Sequence, residues 1–218
     1  MARPVIFDLY NTLIPGADDE RDRVVAEMAL IVGVAPAALV TAYHDSWPDR
    51  LVRWNAEETV RILAGRLGAT PGVRQVTRAA DHRRALARRL LATASAATLA
   101  VLDRLRAAGH PLALVSNATS DTAEAWPGTP LAARFDAAVF SCEAGLAKPD
   151  PAIYRAAAGR LGTDPADCVY VGDGADDELP GAAAAGMTTV RTTEFTDNAP
   201  NWPGPAVAAL AALPALLR

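Results

Sequence analysis

Four short apolar runs in this chain each finish on a polar side chain of a different kind. PVIFD ends at Asp8, PLALVSN at Ser116 and Asn117, AAVFSCEAGLAK leads to Lys148, and CVYVGD ends at Asp173. Such runs, bounded by polar and turn residues, are the pattern of buried strands. The spacing predicts strands over Pro4–Tyr10, Pro111–Ser116, Ala137–Ser141, Cys168–Val171 and Thr188–Arg191. Helical patterns separate the later ones, at Ala96–Ala108, Asp121–Trp126, Asp150–Leu161 and Glu178–Ala185. Strands alternating with helices imply βαβ units, an α/β fold with a doubly wound parallel sheet. Right-handed crossovers point successive strands the same way, so their carboxyl ends share the edge where open α/β sheets bind ligands. On this ground alone Asp8, Ser116, Lys148 and Asp173 are expected in one site. A closing helix is expected over Ala206–Leu217, after a Pro-containing loop at Asn198–Pro205.

Between the first two strands the periodicity is helical. Val24, Val25, Met28, Ala29 and Val32 fit one stripe, and Val60, Leu63, Ala64 and Leu67 another, with Gly68 as a stop. Residues 16–92 are therefore expected to form an all-helical insert, with 1–15 and 93–218 making the sheet-bearing core. The 218 residues, 51% hydrophobic, suffice for such a core. A net charge of −4 gives no global electrostatic ground for binding nucleic acid or an anionic membrane. No apolar run is long enough to span a bilayer, and the N-terminus enters a strand without a signal-peptide pattern. Cys142 and Cys168 read as free thiols in a reducing cytoplasm.

The chemistry follows from residue types. An Asp at a strand end beside a Lys can act as a nucleophile, and the Lys neutralises charge on nucleophile and substrate. The Ser116 hydroxyl and nearby backbone amides can hold a phosphate oxygen; Asn117 and Ala118 are the expected backbone donors. The turn GDGADDEL offers Asp173, Asp176, Asp177 and Glu178, hard oxygen ligands of the kind that suits Mg²⁺. Asp173 and Asp177 stand four apart and face the same way if the turn is helical.

These segments together resemble the haloacid dehalogenase (HAD) superfamily of hydrolases over nearly the whole chain. FDLYNTL is similar to its first motif, LALVSNAT to the second, SCEAGLAKPDPAIY to the third and VYVGDGADDELPGAAAAGM to the fourth. The resemblance implies a Rossmann-like core with a small C1-type helical cap over the site. It implies Asp8 as nucleophile, Ser116 and Lys148 holding the transferring group, and Thr12 and Asn117 as further substrate contacts. It implies Mg²⁺ held by Asp8, Asp173, the backbone carbonyl of Tyr10 and a further acid, for which Asp177 is chosen with Asp176 and Glu178 as rivals.

Two positions depart from the phosphatase pattern. Tyr10 stands where that form has an Asp that protonates the leaving group, and tyrosine at this place is similar to the metal-free dehalogenases of the superfamily. A hydroxyl with an ordinary pKa of about 10 can donate a proton but is a poor base at neutral pH. Asn11 stands where glycine is common, and asparagine tolerates left-handed backbone. The expected activity is thus a cytoplasmic Mg²⁺-dependent phosphatase of a small phosphorylated metabolite, monomeric or homodimeric, working through an aspartyl-phosphate on Asp8. The alternatives are a metal-independent 2-haloacid dehalogenase, or a degenerate non-catalytic member. Arg74, Arg78, Arg83, Arg84, Arg88 and Arg89 read as a solvated helix face, and Arg50 or Arg53 as a candidate holder of a substrate carboxylate.

Overall fold

In the computed structural model, which describes residues 2–217, β1 (Val5–Phe7) is followed by six helices before the next strand, the first five of them in the inserted stretch. Those five are α1 (Asp18–Val32), α2 (Pro36–Asp45), α3 (Trp47–Val52), α4 (Ala56–Arg66) and α5 (Val73–Leu91). Alternation then sets in: α6 (Ala96–Ala107), β2 (Leu112–Ser116), α7 (Ser120–Ala125), β3 (Ala137–Phe140), α8 (Ser141–Ala144) and α9 (Pro151–Arg160). β4 (Val169–Gly172), α10 (Glu178–Ala184), β5 (Thr188–Thr192), β6 (Ala206–Val207) and α11 (Leu213–Leu216) complete the chain. The six strands form one parallel sheet in the order β3-β2-β1-β4-β5-β6.

The continuous apolar runs are explained by burial on both faces. Side chains alternate across a strand. Val5, Phe7, Leu112, Leu114, Val169 and Val171 enter one core cluster. Their neighbours Ile6, Ala113, Val115 and Tyr170 enter another on the opposite face. The second cluster is covered by α9 and α10 through Ile153, Tyr154, Ala157, Leu179 and Ala182. The first is continuous with the apolar stripes of α1, α4 and α5.

One expected element is replaced. Ala206–Leu217 is not a single helix: Ala206–Val207 pair with β5 as a sixth strand, a 3₁₀ turn follows at Leu210–Ala212, and α11 has four residues. Alanine-rich composition favours helix, but Val207 and Leu210 are buried against the core, and tertiary packing overrides propensity here.

The stretch between β1 and β2 is tied to the rest by a buried ion pair. Arg83 on α5 donates from Nη2 to Asp121 Oδ2 on α7 at 2.9 Å, and the residues are only 6% and 3% exposed. Arg83 thus leaves the solvated face on which its sequence neighbours suggested it. Arg84 does meet solvent, bridging Glu57, Asp81 and Glu124. Removing one member of a buried pair strands the other charge, whereas partly exposed pairs contribute little. Arg83→Met is therefore expected to lower unfolding stability by about 3–5 kcal/mol. Arg84→Met is expected to lower it by about 1 kcal/mol or less. Urea unfolding of both variants measures the contrast.

Candidate active site

The sheet order sets β1 between β2 and β4, so their carboxyl ends lie side by side. Asp8 follows Phe7 and extends the ladder by donating its N–H to the Val171 carbonyl at 2.9 Å. Ser116 is the last residue of β2, and Asp173 follows Gly172, the last of β4. Lys148 comes from the connection between α8 and α9. All four line one cavity of about 860 Å³. Helices α1 to α3 close its other side with Arg21, Tyr43, His44, Trp47 and Arg50.

At its floor one ammonium serves two carboxylates. Lys148 Nζ donates to Asp8 Oδ1 and to Glu178 Oε2, each at 2.5 Å. Glu178 is fully buried; its Oε2 also accepts from the Tyr170 hydroxyl at 2.7 Å, and its Oε1 from the Gly174 N–H at 2.9 Å. Burial raises the Asp8 carboxyl, Lys148 opposes that, and Glu178 adds to it, leaving Asp8 pushed up to about 6. Burial acting alone would lower Lys148, but the two carboxylates outweigh it and hold the ammonium firmly protonated. Asp173 is raised by burial and then by Asp8. Gly172 makes room for this arrangement: a Cβ there would come within 2.6 Å of Glu178 Cδ.

Asn117 positions the lysine. Its Oδ1 accepts from the Lys148 N–H at 2.8 Å, and its Nδ2 donates to the Lys148 carbonyl at 3.1 Å and to Asp176 Oδ2 at 3.1 Å. The side chain is thereby engaged on Lys148, while the residue itself lines the cavity. The Ala118 N–H is engaged as well, donating to Ser141 Oγ at 2.9 Å, so it is not a spare donor. Ser116 Oγ, buried and lining the cavity, has no hydrogen-bond partner in the protein. Thr12 Oγ1 also lacks a partner, but Thr12 is fully buried and outside the cavity lining.

The fourth run differs from expectation at one residue. Asp8, Asp173 and Glu178 each offer an oxygen within 4.8 Å of the others. Asp177 is not in this group; it is exposed, and Glu178 takes its place. The i, i+4 spacing presumed a helical turn. Instead Gly174, Asp176 and Asp177 all take left-handed φ, at 95°, 52° and 53°, which shifts the inward-facing position by one residue. Three buried carboxylates with one ammonium, which pairs with only two of them, leave an excess of negative charge and a set of hard oxygen donors, which fits Mg²⁺. Asn198, unmarked in the sequence beyond its loop position, steadies Asp173 by donating to Oδ2 at 2.6 Å.

Tyr10 lines the cavity, but its hydroxyl lies 3.0 Å from Thr122 Oγ1 on α7, and burial raises its pKa. Asn11 adopts a left-handed φ of 58°, and its Oδ1 accepts the Gly16 N–H at 2.8 Å. Arg50 reaches the cavity wall, whereas Arg53 is exposed on Asp49. No single helix among the described residues is long and apolar enough to cross a membrane.

Residues 3–186 match the haloacid dehalogenase-like hydrolase family. A glyceraldehyde 3-phosphate phosphatase from Methanopyrus kandleri is 51% identical over 57 residues, covering 26% of this chain and 24% of that protein. The (S)-2-haloacid dehalogenase 4A of Burkholderia cepacia is 35% identical over 94 residues, covering 41% and 39%. The chain thus matches well under half the length of these curated relatives. The crystal structure of a 2-haloacid dehalogenase from Pseudomonas syringae pv. Tomato has a TM-score of 0.71 at 24% identity, covering 100% of this chain and 98% of that one.

A pH signature follows from the buried acids. The folded state keeps the Asp8 proton up to about 6, whereas the ordinary value is 3.8. Between those values the folded state binds more protons than the unfolded one, so Asp8's contribution to stability falls as pH rises through that window. A divalent cation that favours the ionised form offsets the loss. Stabilisation by Mg²⁺, read as the Tm difference with and without it, is expected to grow as pH rises through about 6 and to shrink in Asp8→Asn.

Proposed function

The chain belongs to the haloacid dehalogenase-like hydrolases, and from that premise we propose that it is a Mg²⁺-dependent phosphatase of a small phosphorylated metabolite. The observation that carries this reading is the group of three buried carboxylates at the strand ends, Asp8, Asp173 and Glu178, with a single lysine among them. Mg²⁺ held by Asp8 and Asp173, with Glu178 beside them, would supply charge neutralisation for the phosphoryl oxygens. Asp8 attacks phosphorus, its carboxylate oxygen forming the new bond as the ester oxygen leaves. Lys148 and the unpartnered Ser116 hydroxyl hold the transferring phosphoryl group. Water then cleaves the aspartyl-phosphate and restores Asp8. Asn117 acts as a positioning residue through the Lys148 backbone. We assign residues 16–92 as the cap and 1–15 with 93–218 as the core, the enzyme acting in the cytoplasm.

The leaving group's proton is the weak point. Tyr10 is engaged with Thr122 and burial raises its pKa, so it is a weak proton donor to the leaving group, whose proton then comes from solvent. An acid–base residue is commonly worth about 10²–10⁴ in rate, so turnover is expected to be slow on esters of poor leaving groups. Tyr10 also motivates a second reading, a haloacid dehalogenase in which Asp8 attacks carbon and displaces halide; the carboxylates around Asp173 weigh against it.

Hydrolysis of p-nitrophenyl phosphate is expected with Mg²⁺ and to be lost with EDTA and in Asp8→Asn. Tyr10→Phe is expected to change the rate less than about tenfold. Halide release from 2-chloropropionate that is indifferent to EDTA would instead establish the second reading.

A further inference from the structure

Behind the wall of the main cavity lies a separate chamber of about 10 Å³, where α2 to α5 meet the segment that opens α7. Tyr43, Arg50, Arg83, Ser120 and Asp121 line it. This is the room left for the centre of a water-sized sphere, so the chamber takes a single small occupant. Four buried donors on its lining residues have no acceptor in the protein: Arg50 Nη1, Arg83 Nε and Nη1, and Ser120 Oγ. Arg50 and Arg83 are only 3% and 6% exposed.

The remaining donors are accounted for, and this exposes the charge imbalance. Arg50 Nε donates to Ser46 Oγ at 3.0 Å and its Nη2 to the Tyr43 carbonyl at 2.8 Å, both neutral acceptors. Arg83 Nη2 takes Asp121 Oδ2, while Asp121 Oδ1 accepts from Thr119 Oγ1 at 2.7 Å. Both guanidinium groups sit over the Tyr43 ring, at 3.6 and 5.6 Å from its centroid. Asp121 is the only acid lining the chamber among the described residues. Two buried cations therefore face one carboxylate. A buried charge without a partner is costly, and so is each buried donor without an acceptor.

We propose that this chamber binds one monovalent anion of chloride size, held by Arg50 and Arg83 from the helical stretch and by Ser120 from α7. The anion supplies the missing negative charge and accepts hydrogen bonds that water could accept without balancing it. Because its ligands come from both sides of the junction, it acts as a bolt between α2–α5 and α7.

Crystals of the full chain soaked in sodium bromide test this directly. The expected result is an anomalous bromide peak within hydrogen-bond reach of Arg50 Nη1 and Arg83 Nε. Density of a water, with no anomalous signal there, overturns the proposal. In solution, replacing gluconate by chloride at constant ionic strength is expected to raise Tm saturably, by on the order of 5 °C at about a hundred times the dissociation constant. The midpoint is expected to move to higher chloride in Ser120→Ala, a partly exposed position whose loss leaves the Arg83–Asp121 pair intact. Equal Tm in both salts at all concentrations counts against the site.

Discussion

The contact on which the rest depends is the shared ammonium of Lys148. Without it, Asp8 and Glu178 would face one another as two buried carboxylates, and each would hold its proton. With it, both can be ionised out of water, and Asp8 is available as a nucleophile. Much of the surrounding structure exists to keep that amine in place. Asn117 grips the Lys148 backbone from both its N–H and its carbonyl. Tyr170 and the Gly174 N–H secure Glu178. Gly172 gives the Glu178 carboxylate its space. A buried ion triad is weak evidence for stability, since desolvation offsets much of the attraction. Its value here is in fixing charge at the strand ends.

The sheet does the rest by geometry. Parallel strands buried on both faces expose only their ends, and the order β2-β1-β4 puts Ser116, Asp8 and Asp173 on adjacent strands. Loops then add Lys148 and Asn198. Helices α1 to α3 line the other side of the cavity, and α5 is fastened to α7 through Arg83 and Asp121.

This convergence was legible in the sequence because strands buried on both faces leave unbroken apolar runs, and a polar residue at the end of such a run stands out. The helical stripes of α1 and α4 were legible for the same reason, since Met28 and Leu63 do face the core. What was hidden depended on backbone conformation or on distant partners. Left-handed φ at Asp176 and Asp177 moves the inward carboxylate to Glu178, a shift that spacing cannot reveal. The positioning role of the Asn117 side chain was hidden because its partner, the Lys148 backbone, is 31 residues away. Arg83 looked solvated because arginine usually is, and only the packed structure buries it. β6 was concealed by an alanine-rich segment in which two residues pair as strand.

On the proposed mechanism Asp8 becomes phosphorylated in turnover. This is tested most directly by trapping the phosphoenzyme formed from acetyl phosphate and Mg²⁺ with borohydride, which reduces an acyl-phosphate to the alcohol, and mapping the product by mass spectrometry. Homoserine is expected at position 8, and none when Mg²⁺ is withheld. Turnover of acetyl phosphate that leaves the carboxylate at position 8 unmodified under these trapping conditions would contradict that mechanism.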